Sequence, residues 1–369
     1  MAKDLTTNNR NIRNIYESLF TLFIYDISLS KSNMKIIKSL DLFAGVGGMR
    51  ISLDKAAQKL NLNSHCEMYS EINNYCQETY NLNFPNTPVV GDIKSINTND
   101  IKSIIPDHDI LLAGFPCQPF SKAGISKRKS LSRKHGFDDK DQGDLFFNIL
   151  DILRIKKPKA FILENVQNLL NYNNGFALKK MLKELRKFYY VPDPQILNAK
   201  DFGLAQLRKR IFIIGFLDAK DEFVYPTPHS KETKVKDFLD KKPDKKYIIS
   251  DLLWKSHKRR KQKNIRKGKG FGFKLTLPSD RYTRTISSRY YKDGSECLIF
   301  RGKTRNPRKL TPREVFRLQG FPESFKFKVS DLQAYRQAGN AVPIKVVEKV
   351  CLSVLKYILK NNKNTKKVA

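Results

Sequence analysis

From Lys35 onward, short apolar runs alternate with longer amphipathic stretches. The runs at 36–42, 66–70, 110–113, 160–163 and 211–215 have strand length. Between them, 49–60, 73–81, 145–155 and 176–188 repeat their apolar residues at helical spacing. This strand–helix alternation predicts an α/β fold, a mainly parallel sheet with helices on both faces. Ligands of such sheets sit beyond the carboxyl ends of the strands.

The rhythm breaks near residue 217, and from 218 to 306 no strand–helix alternation is visible. Positions 255–274 carry ten Lys/Arg and no acidic residue, interleaved with Gly268, Gly270, Phe271, Gly272 and Phe273. Regular helix is expected again at Thr311-Pro312-Arg313-Glu314, a capping box with proline at the first helical position. A last helix is expected over about 343–359, followed by a Lys/Asn tail. The chain therefore divides into an N-terminal extension (1–34), a first catalytic segment (35–217) and a smaller irregular domain (218–306). A return to the catalytic domain (307–360) and a basic tail (361–369) complete it.

Composition narrows the partner. Lys and Arg number 70 against 36 Asp and Glu, a formal charge of +34. Such self-repulsion favours a polyanionic partner, nucleic acid ahead of membrane. The five cysteines are widely scattered, with no CxxC pair and no metal-ligand spacing to the five histidines, so no metal is expected. The cysteine pattern fits a reducing cytoplasm. No run is long enough for a membrane span, and the apolar patch at 19–25 lacks a signal-peptide cleavage site.

Candidate chemistry gathers at the strand ends. The first strand leads into Asp41-Leu42-Phe43-Ala44-Gly45-Val46-Gly47-Gly48, a glycine-rich turn before a helix that lets backbone approach a ligand. Glu71 ends the second strand, placed to accept ribose hydroxyls. Asp92 follows a third short strand, placed for an adenine amino group. Together they point to a nucleoside-bearing cofactor.

The fourth run leads into Gly114-Phe115-Pro116-Cys117-Gln118-Pro119-Phe120-Ser121, a thiol framed by prolines. Glu164 ends the next strand, and Arg208 and Arg210 precede the last, at a spacing that aims both guanidiniums to one side if extended. A thiolate, a carboxylic acid and an arginine suit methylation at C5 of cytosine. The thiolate adds at C6, the acid assists at N3, and the arginine holds the base oxygen.

The ordered motifs resemble those of the bacterial DNA (cytosine-5) methyltransferases of restriction-modification type, over about residues 35–355. Gly143-Asp144-Leu145-Phe146, Glu164-Asn165-Val166, Gln206–Arg210, Arg308–Pro322 and Gln337-Ala338-Gly339-Asn340-Ala341-Val342-Pro343 extend the likeness. The resemblance implies the Rossmann-like S-adenosylmethionine-dependent methyltransferase sheet, with 218–306 as target recognition domain. It implies that Phe43, Ala44, Gly45, Gly47, Gly48, Glu71, Ile72, Asp92, Ile93, Pro116, Leu145, Asn340 and Ala341 bind S-adenosyl-L-methionine, leaving S-adenosyl-L-homocysteine as product. Ile72 departs from the family's frequent aromatic residue against adenine. Catalysis falls to Cys117, Glu164, Arg208 and Arg210.

The resemblance further implies a loop at 124–138 that closes over duplex DNA from which the target base has been flipped. DNA contacts would come from Ser121, Lys122, Arg128, Arg133, Gln206, Arg284, Thr285 and Arg289. The run 283–296 looks like recognition domains acting on CC-start sites such as CCWGG or CCNGG, or else is scaffold common to several specificities. A monomer is expected, with a cognate restriction endonuclease encoded alongside but not stably bound. Two other readings are an RNA cytosine-5 methyltransferase on the same scaffold and a DNA-binding protein without catalysis.

Overall fold

The computed structural model describes residues 35–116, 140–219, 221–228, 232–270 and 272–365. The expectations for 1–34, for Cys117, Ser121, Lys122, Arg128 and Arg133, and for the closing loop lie outside the described residues.

The elements come in the expected order: β1 (Ile36–Leu42), α1 (Gly48–Gln58), β2 (Asn63–Ser70), α2 (Asn74–Asn83), β3 (Val89–Val90), α3 (Ile101–Ile104) and β4 (Ile110–Ala113). They continue with α4 (Lys140–Lys156), β5 (Ala160–Val166), α5 (Phe176–Leu185), β6 (Gln195–Asn198) and β7 (Lys209–Phe216). These strands form a seven-stranded sheet in the order β3-β2-β1-β4-β5-β7-β6. Pairing is parallel from β3 through β5, whereas β7 runs against both β5 and β6.

β4 is buried throughout, and its side chains alternate between two cores. Leu111 and Ala113 pack with Leu40, Leu163, Phe146 and Met181 on the α4/α5 face. Ile110 and Leu112 pack with Leu53, Ile162, Val346 and Val350 on the other. The chain leaves β1 toward β2 and β4 toward β5, in opposite directions across the sheet. The crevice between the ends of β1 and β4 is thus a topological switch point, where open α/β sheets bind ligands.

After β7 come α6 (Asp251–Arg266), the short pair β8 (Leu275–Thr276) and β9 (Leu298–Ile299), then α7 (Pro312–Leu318), α8 (Asp331–Asn340) and α9 (Ile344–Thr365). The 16-residue α6 corrects the expectation that regular helix is absent from 218–306. Ser250 caps it by accepting the Leu253 N–H at 3.2 Å. Its inner face rests on a buried His257 and a half-buried Arg260 in place of a hydrophobic stripe, so no apolar period marks it. β6 also escaped the sequence reading, being a four-residue edge strand. The last helix runs on past its expected end near 359.

The capping box at α7 is formed as expected. Thr311 Oγ1 accepts the Glu314 N–H at 3.1 Å, and Glu314 Oε2 accepts the Thr311 N–H at 2.8 Å. Glu314 also takes both guanidinium branches of Arg308, at 2.7 and 2.8 Å. A third core, containing Ile286, Tyr290, Phe316 and Tyr335, joins the segment after β7 to these C-terminal helices.

Candidate active site

The turn after β1 is built for close backbone approach. Phe43, Gly45 and Gly47 have positive φ, at 54°, 56° and 83°. The glycines serve different ends. A Cβ on Gly47 would lie 2.5 Å from the Phe84 ring, and one on Gly48 would lie 2.9 Å from Val342. One on Gly45 or Gly91 would meet nothing within 4 Å. Gly47 and Gly48 therefore permit packing, whereas Gly45 and Gly91 face open space suited to a ligand.

Glu71 closes this end of the crevice. Its Oε2 accepts the Gly45 N–H and its Oε1 the Asn73 N–H, both at 2.8 Å, which fixes the carboxylate against the turn. Burial raises its pKa, while backbone hydrogen bonds from Asn73 and Gly45 oppose the rise. Asp92 is exposed, and its Oδ1 accepts the Lys94 N–H at 3.0 Å, capping a short 3-10 turn. Ile93 is buried, whereas Ile72 is 72% exposed. An apolar side chain that open at the end of β2 offers a face to a flat ring. Leu145 packs into the core, Pro116 is half-buried, and Asn340 is exposed at the end of α8. The open glycines, the fixed carboxylate and the exposed Ile72 fit a nucleoside-bearing cofactor.

Asp41, singled out in sequence only as part of the turn, is fully buried, and neither carboxylate oxygen has a hydrogen-bond partner. Burial drives its pKa well above the usual range, against a weaker opposing pull from Arg50. Its environment therefore favours the protonated form.

The second cluster lies at the ends of β4 and β5, paired in parallel through Ala113 and Leu163. Register alone brings Glu164 to Gly114, where a Cβ would lie 3.7 Å from Glu164 Oε2. Glu164 is 7% exposed and ion-paired to Arg210, with Nε to Oε1 at 2.8 Å. Burial raises its pKa even against the charges of Arg210 and Arg208. A carboxyl that keeps its proton can donate a hydrogen bond.

Asn165 is a positioning residue that sequence reading quoted but gave no role. Its buried Nδ2 donates to the Phe115 carbonyl at 3.3 Å, while its Oδ1 accepts the Val166 N–H at 2.8 Å. It ties β5 to the backbone two residues before Cys117. Its adjacency to Glu164 on a strand end was the available signal.

Arg208 and Arg210 both lower the Glu164 pKa by charge, yet their donors diverge. Arg208 is 1% exposed and donates to the carbonyls of Ile286 (3.1 Å), Gly339 (3.0 Å) and Ala341 (2.7 Å). It clamps the β7 entry to the 283–287 run and to the Asn340-Ala341 turn. A Cβ on Gly339 would lie 2.4 Å from the Ser287 backbone, so α8 and that run touch main chain to main chain.

The same junction engages two of the residues expected to contact DNA. Gln206 is fully buried, donating to the Leu318 carbonyl at 3.2 Å and accepting the Ile286 N–H at 3.1 Å. Thr285 donates its hydroxyl to the Leu207 carbonyl. Side chains so committed hold 283–286 against 205–208, as scaffold. Arg284 and Arg289 remain exposed. Among the described residues no His/Cys/Asp/Glu group could hold a metal, and no helix is long and apolar enough to cross a membrane.

Known proteins match this architecture. Residues 37–356 fit the C-5 cytosine-specific DNA methylase family. Type II methyltransferase M.DsaV of Dactylococcopsis salina is 46% identical, over 88% of this chain and 87% of its own. Type II methyltransferase M.NlaX of Neisseria lactamica is 47% identical, over 85% and 95%. Among solved structures, the S. pombe Dnmt2 methyltransferase shares the fold, with a TM-score of 0.70 at 23% identity over 88% of this chain and 99% of that one. The chain belongs to the C-5 cytosine-specific DNA methylase family and is a DNA (cytosine-5-)-methyltransferase.

Proposed function

We propose that this enzyme methylates C5 of a flipped-out cytosine in a short duplex DNA site, using S-adenosyl-L-methionine and a covalent link from Cys117 to C6. The observation that carries the reading is the buried Glu164, its pKa raised by burial, paired with Arg210 and set beside Gly114, which lies three residues ahead of Cys117 in the chain. The cofactor supplies an electrophilic methyl group on a sulfonium.

The Cys117 thiolate forms a bond to C6, and the displaced ring electrons make C5 nucleophilic. Glu164 donates a hydrogen bond or proton to N3, which stabilises the ring as charge develops. Arg210 orients Glu164 and would hold the base oxygen. After methyl transfer, loss of the C5 proton returns electrons to the ring and expels the thiolate. Arg208 acts from behind, holding the Asn340-Ala341 turn and the recognition run to β7. Phe43, Ala44, Gly45, Gly47, Gly48, Glu71, Ile72, Asp92, Ile93, Pro116, Leu145, Asn340 and Ala341 are the residues that would hold the cofactor, Ile93 and Leu145 from the core behind it.

The recognition segment 218–306 inserts between the catalytic segments 35–217 and 307–360. Within it, the exposed Arg284 and Arg289 are the side chains suited to base edges or phosphates. Ser121, Lys122, Arg128 and Arg133 supply DNA contacts from the loop after Cys117. A CC-start site such as CCWGG or CCNGG rests on the pattern of 283–296. The Type II relatives support a modification enzyme of restriction-modification type; it would work as a cytoplasmic monomer, with a restriction endonuclease as a separate protein.

The test is methyl transfer from labelled S-adenosylmethionine to unmethylated duplex DNA, followed by bisulfite sequencing. Protected cytosines confined to one short sequence are expected. Incorporation into tRNA but not DNA would overturn the reading.

A further inference from the structure

We propose that the outer face of α6 lies along the phosphates of duplex DNA flanking the methylated site. This rests on the DNA-methylating function above and adds a second, sequence-independent contact surface to it.

The helix is held from one side. His257 is buried, with Nε2 3.1 Å from the Asp293 carbonyl, and Arg260 ion-pairs with Asp293 at 2.8 Å. Trp254 packs edge-on against Phe273, with ring centroids 4.8 Å apart. On the opposite side Lys255, Arg259, Lys263 and Arg266 are exposed. At 3.6 residues per turn, 255, 259 and 266 share one line, with 263 beside it, spread over about 16 Å of helix axis. Among the described residues Arg260 is the α6 cation with an ion pair, and these four face solvent.

Like charges four residues apart, as at 255/259 and 259/263, destabilise an isolated helix. A stripe that keeps them needs counter-charge from outside. Duplex DNA presents a phosphate charge about every 1.7 Å of axis, a regular row that Lys and Arg neutralise whatever the sequence. The placement also argues for flanking DNA. Arg208, which acts by charge on Glu164, grips the 283–296 run at Ile286, whereas α6 is fastened seven residues further along it, at Asp293.

The test uses the full-length enzyme with Lys255→Gln, Arg259→Gln, Lys263→Gln and Arg266→Gln together. Binding is measured against salt on duplexes of about 14 and about 40 base pairs, each bearing one mapped methylation site. The wild type should show a steeper salt slope on the longer duplex. The variant should lose about 3.6 from that slope, at about 0.9 for each of its four phosphate contacts, closing the gap to the shorter duplex. Arg259→Lys with Arg266→Lys, which keeps the charges, should retain the wild-type gap. An unchanged gap in the Gln variant, or an equal fall on both duplexes, would overturn the proposal. If the wild type neither binds nor methylates these duplexes, the functional reading falls with it.

Discussion

The strand ends around Glu164 and the recognition segment after β7 organise polar residues in opposite ways. At the strand ends, three polar groups are fixed by main chain or by one close partner: Glu71 by two N–H groups, Asn165 by Phe115, Glu164 by Arg210. In the recognition segment, the fixed polar groups are scaffold, and the exposed ones are cations on a helix and a run. Chemistry on one atom needs preorganised donors, and these come with parallel strand register. Recognition of a long polyanion needs charge over distance, which an irregular segment can carry if it is fastened down.

The sharpest way to break this comparison is to remove a fixed group. Glu164→Gln should slow methylation by roughly 10²–10⁴, the usual scale for a positioned acid. Single-turnover rates at saturating DNA and cofactor check this, and near-normal rates would take Glu164 out of the mechanism.

The fastening can be tested next. Gly339→Ala forces a methyl against the Ser287 backbone, where overpacking costs about 1–3 kcal/mol. Chemical denaturation should register the loss, and DNA affinity should fall with it because the recognition run shifts off α8. A variant as stable as wild type would mean the junction is looser than the contact implies.

The smallest effect concerns Asp41. Its folded pKa is raised, so the unfolded chain releases this proton first as pH climbs. Stability is therefore lost from the ordinary aspartate range, about 3.9, upward until the folded value is passed. Asp41→Asn releases no proton there. Its melting temperature should match wild type near pH 3.5 and exceed it at pH 8. An equal offset at both values would show that Asp41 is not held neutral.

The difference between the two regions also decided what could be read from sequence. β1 and β4 were legible to the residue: β4, buried on both faces, is an unbroken apolar run, and β1 ends at a glycine-rich turn. Glu164 and Arg210 were legible because a strand end fixes where a side chain goes. The roles of Gln206 and Thr285 were not, since a polar side chain facing a carbonyl across a domain junction looks in sequence like one facing DNA. Helix α6 was hidden for a related reason: its buried face carries His257 and Arg260, which pair with Asp293 and leave no hydrophobic period.

The central claim, that methyl transfer passes through a Cys117–C6 bond on a base held by Glu164 and Arg210, has one direct test. Duplex DNA carrying 5-fluorocytosine at the mapped target is incubated with enzyme and S-adenosylmethionine, then resolved under denaturing conditions. The fluorine cannot leave as the C5 proton does, so the adduct should accumulate with the wild type and be absent from Cys117→Ser, which should also lack turnover while still binding DNA and cofactor. A trapped adduct in Cys117→Ser, or none in a wild type that methylates ordinary DNA, would contradict the account.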